Sequence, residues 1–213
     1  MNDTPIRIRV KYSKSGNLRF LGHIDTQNLF ERALRRTELP IRHTQGFNKR
    51  IRINLASALP LGFISEAEIL DIWLDQPIDT EIIGKKLNEA LPDDIKVLEV
   101  QMVDNALPSL QASLVSSDYL ISIPADPGLE TFKNRFQALL TGEKIEIIKR
   151  KKTIDLKPMI LDYSFQSESP DGDQFFIRLS SSPNANARPD DLLQLLEIDP
   201  ADCLVKRTKL NFS

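Results

Sequence analysis

Ile6-Arg7-Ile8-Arg9-Val10-Lys11-Tyr12 alternates apolar and cationic residues without a break. A period of two marks a strand with one buried face, so Ile6, Ile8, Val10 and Tyr12 are expected in a core and Arg7, Arg9 and Lys11 on the opposite side. Working outward, Ser13 to Asn17 reads as a turn around Gly16. Asp25 suits the cap of the next helix, because its carboxylate accepts from the free amides of a first turn. Leu29, Phe30, Ala33 and Leu34 give that helix an apolar stripe, with Arg32, Arg35 and Arg36 mostly off it and Pro40 ending it. Arg50, Arg52 and Asn54 then alternate with Ile51, Ile53 and Leu55 in a second strand. Leu59-Pro60-Leu61-Gly62 is a break. Ala67 to Leu74 forms a third strand, Asp79 to Leu91 a second helix and Ile95 to Val103 a fourth strand.

Strand, helix, strand, strand, helix, strand is the order of a ferredoxin-like unit, in which two helices cover one face of an antiparallel sheet. Arg7, Arg9, Arg50 and Arg52 are then expected to share the free face. Residues 104–117 carry Pro108 and several serines without periodicity and read as a linker. Beyond it come strand Tyr119 to Ile123, helix Leu129 to Leu140 and strands around 145–151, 154–165 and 175–179. A short helix, Asp190 to Glu197, and a last strand, Leu204 to Leu210, follow, with Ser180 to Arg188 as a flexible loop. The expected class is α+β, with tandem ferredoxin-like (βαββαβ) units, antiparallel sheets and helices on one face, over residues 1–104 and 118–213. One continuous sheet built from both halves is the other arrangement this order allows.

Composition narrows the chemistry. Cys203 is the only cysteine, which excludes an internal disulfide, a cysteine-rich zinc site and an iron–sulfur cluster held by this chain alone. His23 and His43 are the only histidines and have no metal-ligand spacing, so no metal and no cofactor are expected. Neither a Walker loop, a GxGxxG fingerprint nor a GxSxG elbow occurs. The polar start and the lack of a long apolar run point to a cytoplasmic protein without a membrane span.

The net charge of −2 hides an asymmetry, because residues 1–52 carry +8 and the remainder −10. Arg7, Arg9, Arg19, Arg32, Arg35, Arg36, Arg50 and Arg52 lie in the basic stretch, with Phe47 among the aromatics. Cations grip phosphate backbones by Coulomb attraction and counterion release, and aromatics stack on unpaired bases. These nine residues are the candidate nucleic-acid surface, the plainer reading being a solvated face paired with the acidic remainder. Lys149-Arg150-Lys151-Lys152 either extends it or forms a charged strand edge. Gly46-Phe47-Asn48 reads as a turn, with Phe47 either tucked inside or offered to a ligand. His23 and Asp25 are the candidate acid–base pair of an RNA-processing enzyme. Glu66, Glu68 and Asp71 gather near one strand, but alternation sets Asp71 on the opposite face, as a partner for solvent or arginine.

Leu18-Arg19-Phe20-Leu21-Gly22-His23-Ile24-Asp25, with Arg32-Ala33-Leu34-Arg35-Arg36, Leu39-Pro40, Gly46-Phe47-Asn48, Leu59-Pro60-Leu61-Gly62 and Ser65-Glu66, resembles the radical-SAM-linked protein family over about residues 5–75. The resemblance implies a radical-SAM protein as partner, with the cluster on that other polypeptide. In that family the Gly-Phe-Asn loop usually runs into a proline-containing basic turn, whereas Lys49-Arg50-Ile51 follows here. A second likeness, of architecture alone, is to CRISPR repeat-processing RNases. The leading expectation is an RNA-binding accessory protein that works with a radical-SAM enzyme in RNA modification. A metal-independent RNA-processing enzyme using His23 and a protein–protein adaptor are the alternatives.

Overall fold

A computed structural model describes residues 4–126, 128–149, 152–169, 172–182 and 185–213. The chain divides into two compact units, Met1–Ser113 and Leu114–Ser213.

In the first unit, strand β1 (Ile6–Lys14) is followed by a 3-10 turn (Gly16–Phe20) and helix α1 (His23–Arg36). Strands β2 (Ile53–Leu55) and β3 (Ile64–Leu74), helix α2 (Thr80–Ala90), strand β4 (Ile95–Val103) and a single-turn helix α3 (Leu110–Ser113) complete it. β1 pairs antiparallel with both β3 and β4, and β2 pairs antiparallel with β3, so the strand order is β4-β1-β3-β2. The alternation of β1 sets its register. Ile8, Val10 and Tyr12 pack with Leu70, Ile72 and Leu74 of β3, with Phe30, Ala33 and Leu34 of α1 and with Ile83 and Leu87 of α2. The helices therefore cover one face of the sheet, and Arg7, Arg9, Asp71 and Trp73 belong to the other.

Helix α1 starts two residues before Asp25. Gly22 is its cap residue, with extended backbone, and Asp25 lies in the first turn without capping it. The amide and hydroxyl of Thr26 both donate to the Gly22 carbonyl, at 2.8 and 2.9 Å. The helix ends ahead of Pro40, where the Thr37 hydroxyl donates to the Leu34 carbonyl and Glu38 takes a left-handed φ of 55°. Asp79 caps α2 by accepting from the Glu81 amide at 2.8 Å.

The segment expected as a linker is part of the fold. Leu110 is fully buried, the carbonyls of Leu107 and Pro108 receive hydrogen bonds from Arg7, and strand β5 already begins at Leu114. Proline and serine there serve a compact connection rather than a tether.

The second unit runs β5 (Leu114–Ser122), α4 (Gly128–Thr141), β6 (Glu146–Lys149), β7 (Lys152–Asp155), β8 (Ile160–Ser169), β9 (Gly172–Ser182), β10 (Ala185–Asn186), α5 (Pro189–Leu195) and β11 (Val205–Phe212). β5 pairs antiparallel with β9 and β11, β8 pairs antiparallel with β9, and β6 and β7 form a separate hairpin. Leaving that hairpin and β10 aside, the order β11-β5-β9-β8 repeats the pattern of the first unit. Phe132 and Phe136 of α4 pack on Phe175, with centroids 5.0 and 4.9 Å away. The stretch expected as a flexible loop is largely strand, since Ala185 and Asn186 pair with Ser182 and Ser181. Of the basic run at 149–152, Arg150 and Lys151 lie outside the described residues, while Lys149 pairs with Asp191 at 2.5 Å.

Candidate functional site

Ile41 to Arg52 forms an arm at the β2 side of the first unit. The Arg42 amide donates to the Trp73 carbonyl and the Arg52 amide to the Arg42 carbonyl, at 2.7 and 2.9 Å. His43 bridges Ile51, and the Thr44 amide donates to the Arg50 carbonyl at 2.7 Å, closing a hairpin-like loop. Gly46 sits at the tip with φ 141°, where any side chain would be strained. Phe47 beside it is 103% exposed, and Lys49 and Arg50 follow on the exposed return limb. The structure thus holds Phe47 away from any core: an exposed ring at the end of a hydrogen-bonded arm, followed in sequence by two exposed cations. Ile51 and Leu55, buried at 3% and 5%, anchor the limb that Arg50 and Arg52 line.

At the foot of the arm the Arg52 guanidinium lies over the Trp73 ring, 4.1 Å from its centroid, with that of Arg7 5.6 Å away. Trp73 is 7% exposed and donates from Nε1 to Asn105 Oδ1 at 3.2 Å. A pocket of about 530 Å³ opens here, lined by Arg7, Arg52, Asn54, Trp73 and Ser109 among others.

The expected cation surface does not form as one face. Arg7, Arg9 and Arg52 do lie on the sheet face away from the helices, but Arg7 and Arg9 are not free on it. Arg7 is 3% exposed and donates to Asp71 Oδ2 from Nε and Nη2, at 2.8 and 2.5 Å, and to the Leu107 and Pro108 carbonyls. Arg9 donates to the same carboxylate at 2.9 and 3.1 Å. Antiparallel register sets Asp71 opposite Arg9, and a buried cation requires such a partner. Arg32, Arg35 and Arg36 sit on the outer side of α1, where Arg35 pairs with Glu31 at 3.3 Å and Arg36 donates to the Ala90 carbonyl. Arg19 stacks over Phe20, 4.8 Å from its centroid.

His23 and Asp25 are both exposed in the first turn of α1, and among the described residues no hydrogen bond joins them. Two residues apart on a helix they point in different directions, so the expected acid–base pair is not assembled. Glu68 is buried near His23 and Lys14 on the helix side of β3, away from Asp71. Among the described residues no three potential ligands gather around a metal position, and no helix is long and apolar enough to cross a membrane. The Trp73 platform was missed in the sequence because Ile69, Leu70, Ile72, Trp73 and Leu74 place apolar residues on both sides of this strand, and the pairing of Trp73 with Arg7 shows which side it takes.

Among curated proteins nothing matches. One similar solved structure, described as a dyp-type peroxidase from Shewanella oneidensis, is 10% identical over 92% of this chain and 84% of its own, with a TM-score of 0.25; it carries no argument about fold or activity. A family model matches residues 7–189, spanning both units, and the chain belongs to that family, the uncharacterized proteins conserved in bacteria termed DUF2344.

Proposed function

We propose that the protein binds single-stranded segments of RNA through residues 43–52 of the arm and serves as an accessory to an RNA-modifying enzyme. The observation that carries this is Phe47, wholly exposed at a tip with Lys49 and Arg50 behind it. A ring flanked by cations suits a base and its phosphates. The single cysteine leaves the radical-SAM chemistry implied by the family resemblance to a partner. Phe20, Ile24 and Leu61, each more than half exposed around the start of α1, offer an apolar surface for one and favour the adaptor as second reading. The strand order within each unit supports reading both as ferredoxin-like, an architecture that leaves one sheet face for ligands.

The test is fluorescence anisotropy of a labelled unstructured RNA, titrated with the full chain across a salt series. Three cations, Lys49, Arg50 and Arg52, predict a slope of log K against log salt of about −2, at about −0.7 per neutralised phosphate. Phe47→Ala should weaken binding roughly 5- to 150-fold, the equivalent of about 1–3 kcal/mol of stacking. Lys49→Gln/Arg50→Gln should flatten the slope by about 1.4. Binding indifferent to both variants would overturn the assignment to the arm.

A further inference from the structure

The pocket at the foot of the arm lies beyond Phe47, Lys49 and Arg50. Two guanidinium groups line it, those of Arg7 and Arg52, and among the described residues no carboxylate does. Arg7 is immobilised by four hydrogen bonds, two of them to Asp71, and Arg52 adds a second guanidinium to the wall. Arg52 is exposed, and its guanidinium lies over the Trp73 ring, 4.1 Å from the centroid. Planar bases stack on such guanidinium planes. Thr4, Asn54 and Ser109 add side-chain hydroxyl and amide groups at the rim. A volume of about 530 Å³ exceeds what a lone phosphate fills and is ordinary for a small organic ligand.

We infer that this pocket receives one nucleotide unit, its base against Arg52. The inference rests on the RNA-binding reading and deepens it: the arm would hold the strand while the pocket takes a single unstacked residue from it. No bond is made or broken in this step.

Trp73 is the sole tryptophan, so intrinsic fluorescence reports on the pocket directly. Full-length protein is titrated with each 5′-nucleoside monophosphate, and with ribose 5-phosphate and inorganic phosphate as controls. A saturable change with nucleotides, at least tenfold weaker with the base-free controls, is expected. Arg52→Met should weaken it tenfold or more, with its cooperative unfolding midpoint unchanged. Arg52→Lys, which keeps charge but not the plane, should bring nucleotide affinity down to that of ribose 5-phosphate. A flat titration, or equal response to inorganic phosphate, overturns the inference. Because the arm variants are read by RNA anisotropy and the pocket by Trp73, a flat nucleotide titration beside intact Phe47-dependent RNA binding rejects the pocket alone. Loss of RNA binding by the wild type rejects the broader reading first.

Discussion

Replacing Asp71 by alanine should destabilise the first unit by about 3–5 kcal/mol, the cost of removing one partner from a buried ion pair. The carboxylate is 0% exposed and accepts from Arg7 at 2.5 and 2.8 Å and from Arg9 at 2.9 and 3.1 Å. Its loss leaves two guanidinium groups, with side chains 4% and 16% exposed, facing each other without their shared counter-charge. Most of the penalty should come from those stranded cations rather than from the attraction itself. The same substitution in an Arg7→Met/Arg9→Met background should therefore cost less than half as much. Urea unfolding followed by Trp73 fluorescence isolates this unit, since the second unit contains no tryptophan. A cost below about 1 kcal/mol, or one undiminished in the Met/Met background, would refute the account of the cluster.

Three further outcomes are expected. Burial alone would push the Asp118 carboxyl up, but hydrogen bonds from Arg178 and Asn211 and nearby positive charge hold it below its ordinary value. A depressed carboxylate adds stability above its unfolded pKa of about 3.9 and loses it as pH falls through the folded one, so wild type and Asp118→Asn should differ most near neutrality and converge in acid. Equal sensitivity to acid in both would count against it. Gly16 has φ 52°, and a Cβ there would collide with the Asp94 carboxylate, which accepts from the Asn17 amide at 2.9 Å. Gly16→Ala should cost about 1–2 kcal/mol in the same urea assay, and a neutral result would show that the turn relaxes freely. Burial, with Asp202 and Asp199 close by, pushes the Cys203 thiol up to about 11. Alkylation by iodoacetamide at pH 8 should run roughly a hundredfold slower than for a small thiol and recover in urea, and a rate equal to the small thiol's would contradict the buried setting.

The strands and the core-facing residues were legible because period-two alternation records burial directly. Ile8, Val10 and Tyr12 face the helices as their spacing requires, and Arg7 and Arg9 the other side. What alternation cannot record is the partner across the sheet. Asp71 lies 62 and 64 residues from the two arginines it binds, so local reading presents them as free. The second unit repeats that solution with the charges exchanged: Asp118 on β5 binds Arg178 on β9, at 2.7 and 2.8 Å. The helix start was misread because a carboxylate near an N-terminus suggests a cap, whereas extended Gly22 together with Thr26 closes this one. Residues 104–117 read as a linker because Pro108 and several serines interrupt any periodicity, whereas the folded chain buries Leu110 among them. The arm was readable as a Gly-Phe-Asn turn. Its hydrogen bonding to Trp73, and hence the pocket below it, depended on contacts distant in sequence.

The most direct test is ultraviolet cross-linking of the full chain to total bacterial RNA, followed by identification of the modified peptide. Cross-links concentrated on the peptide containing Phe47, and lost in Phe47→Ala, are the predicted result. Absence of retained RNA at low salt, or cross-links confined to the second unit, would contradict the claim that residues 43–52 are the RNA-binding element.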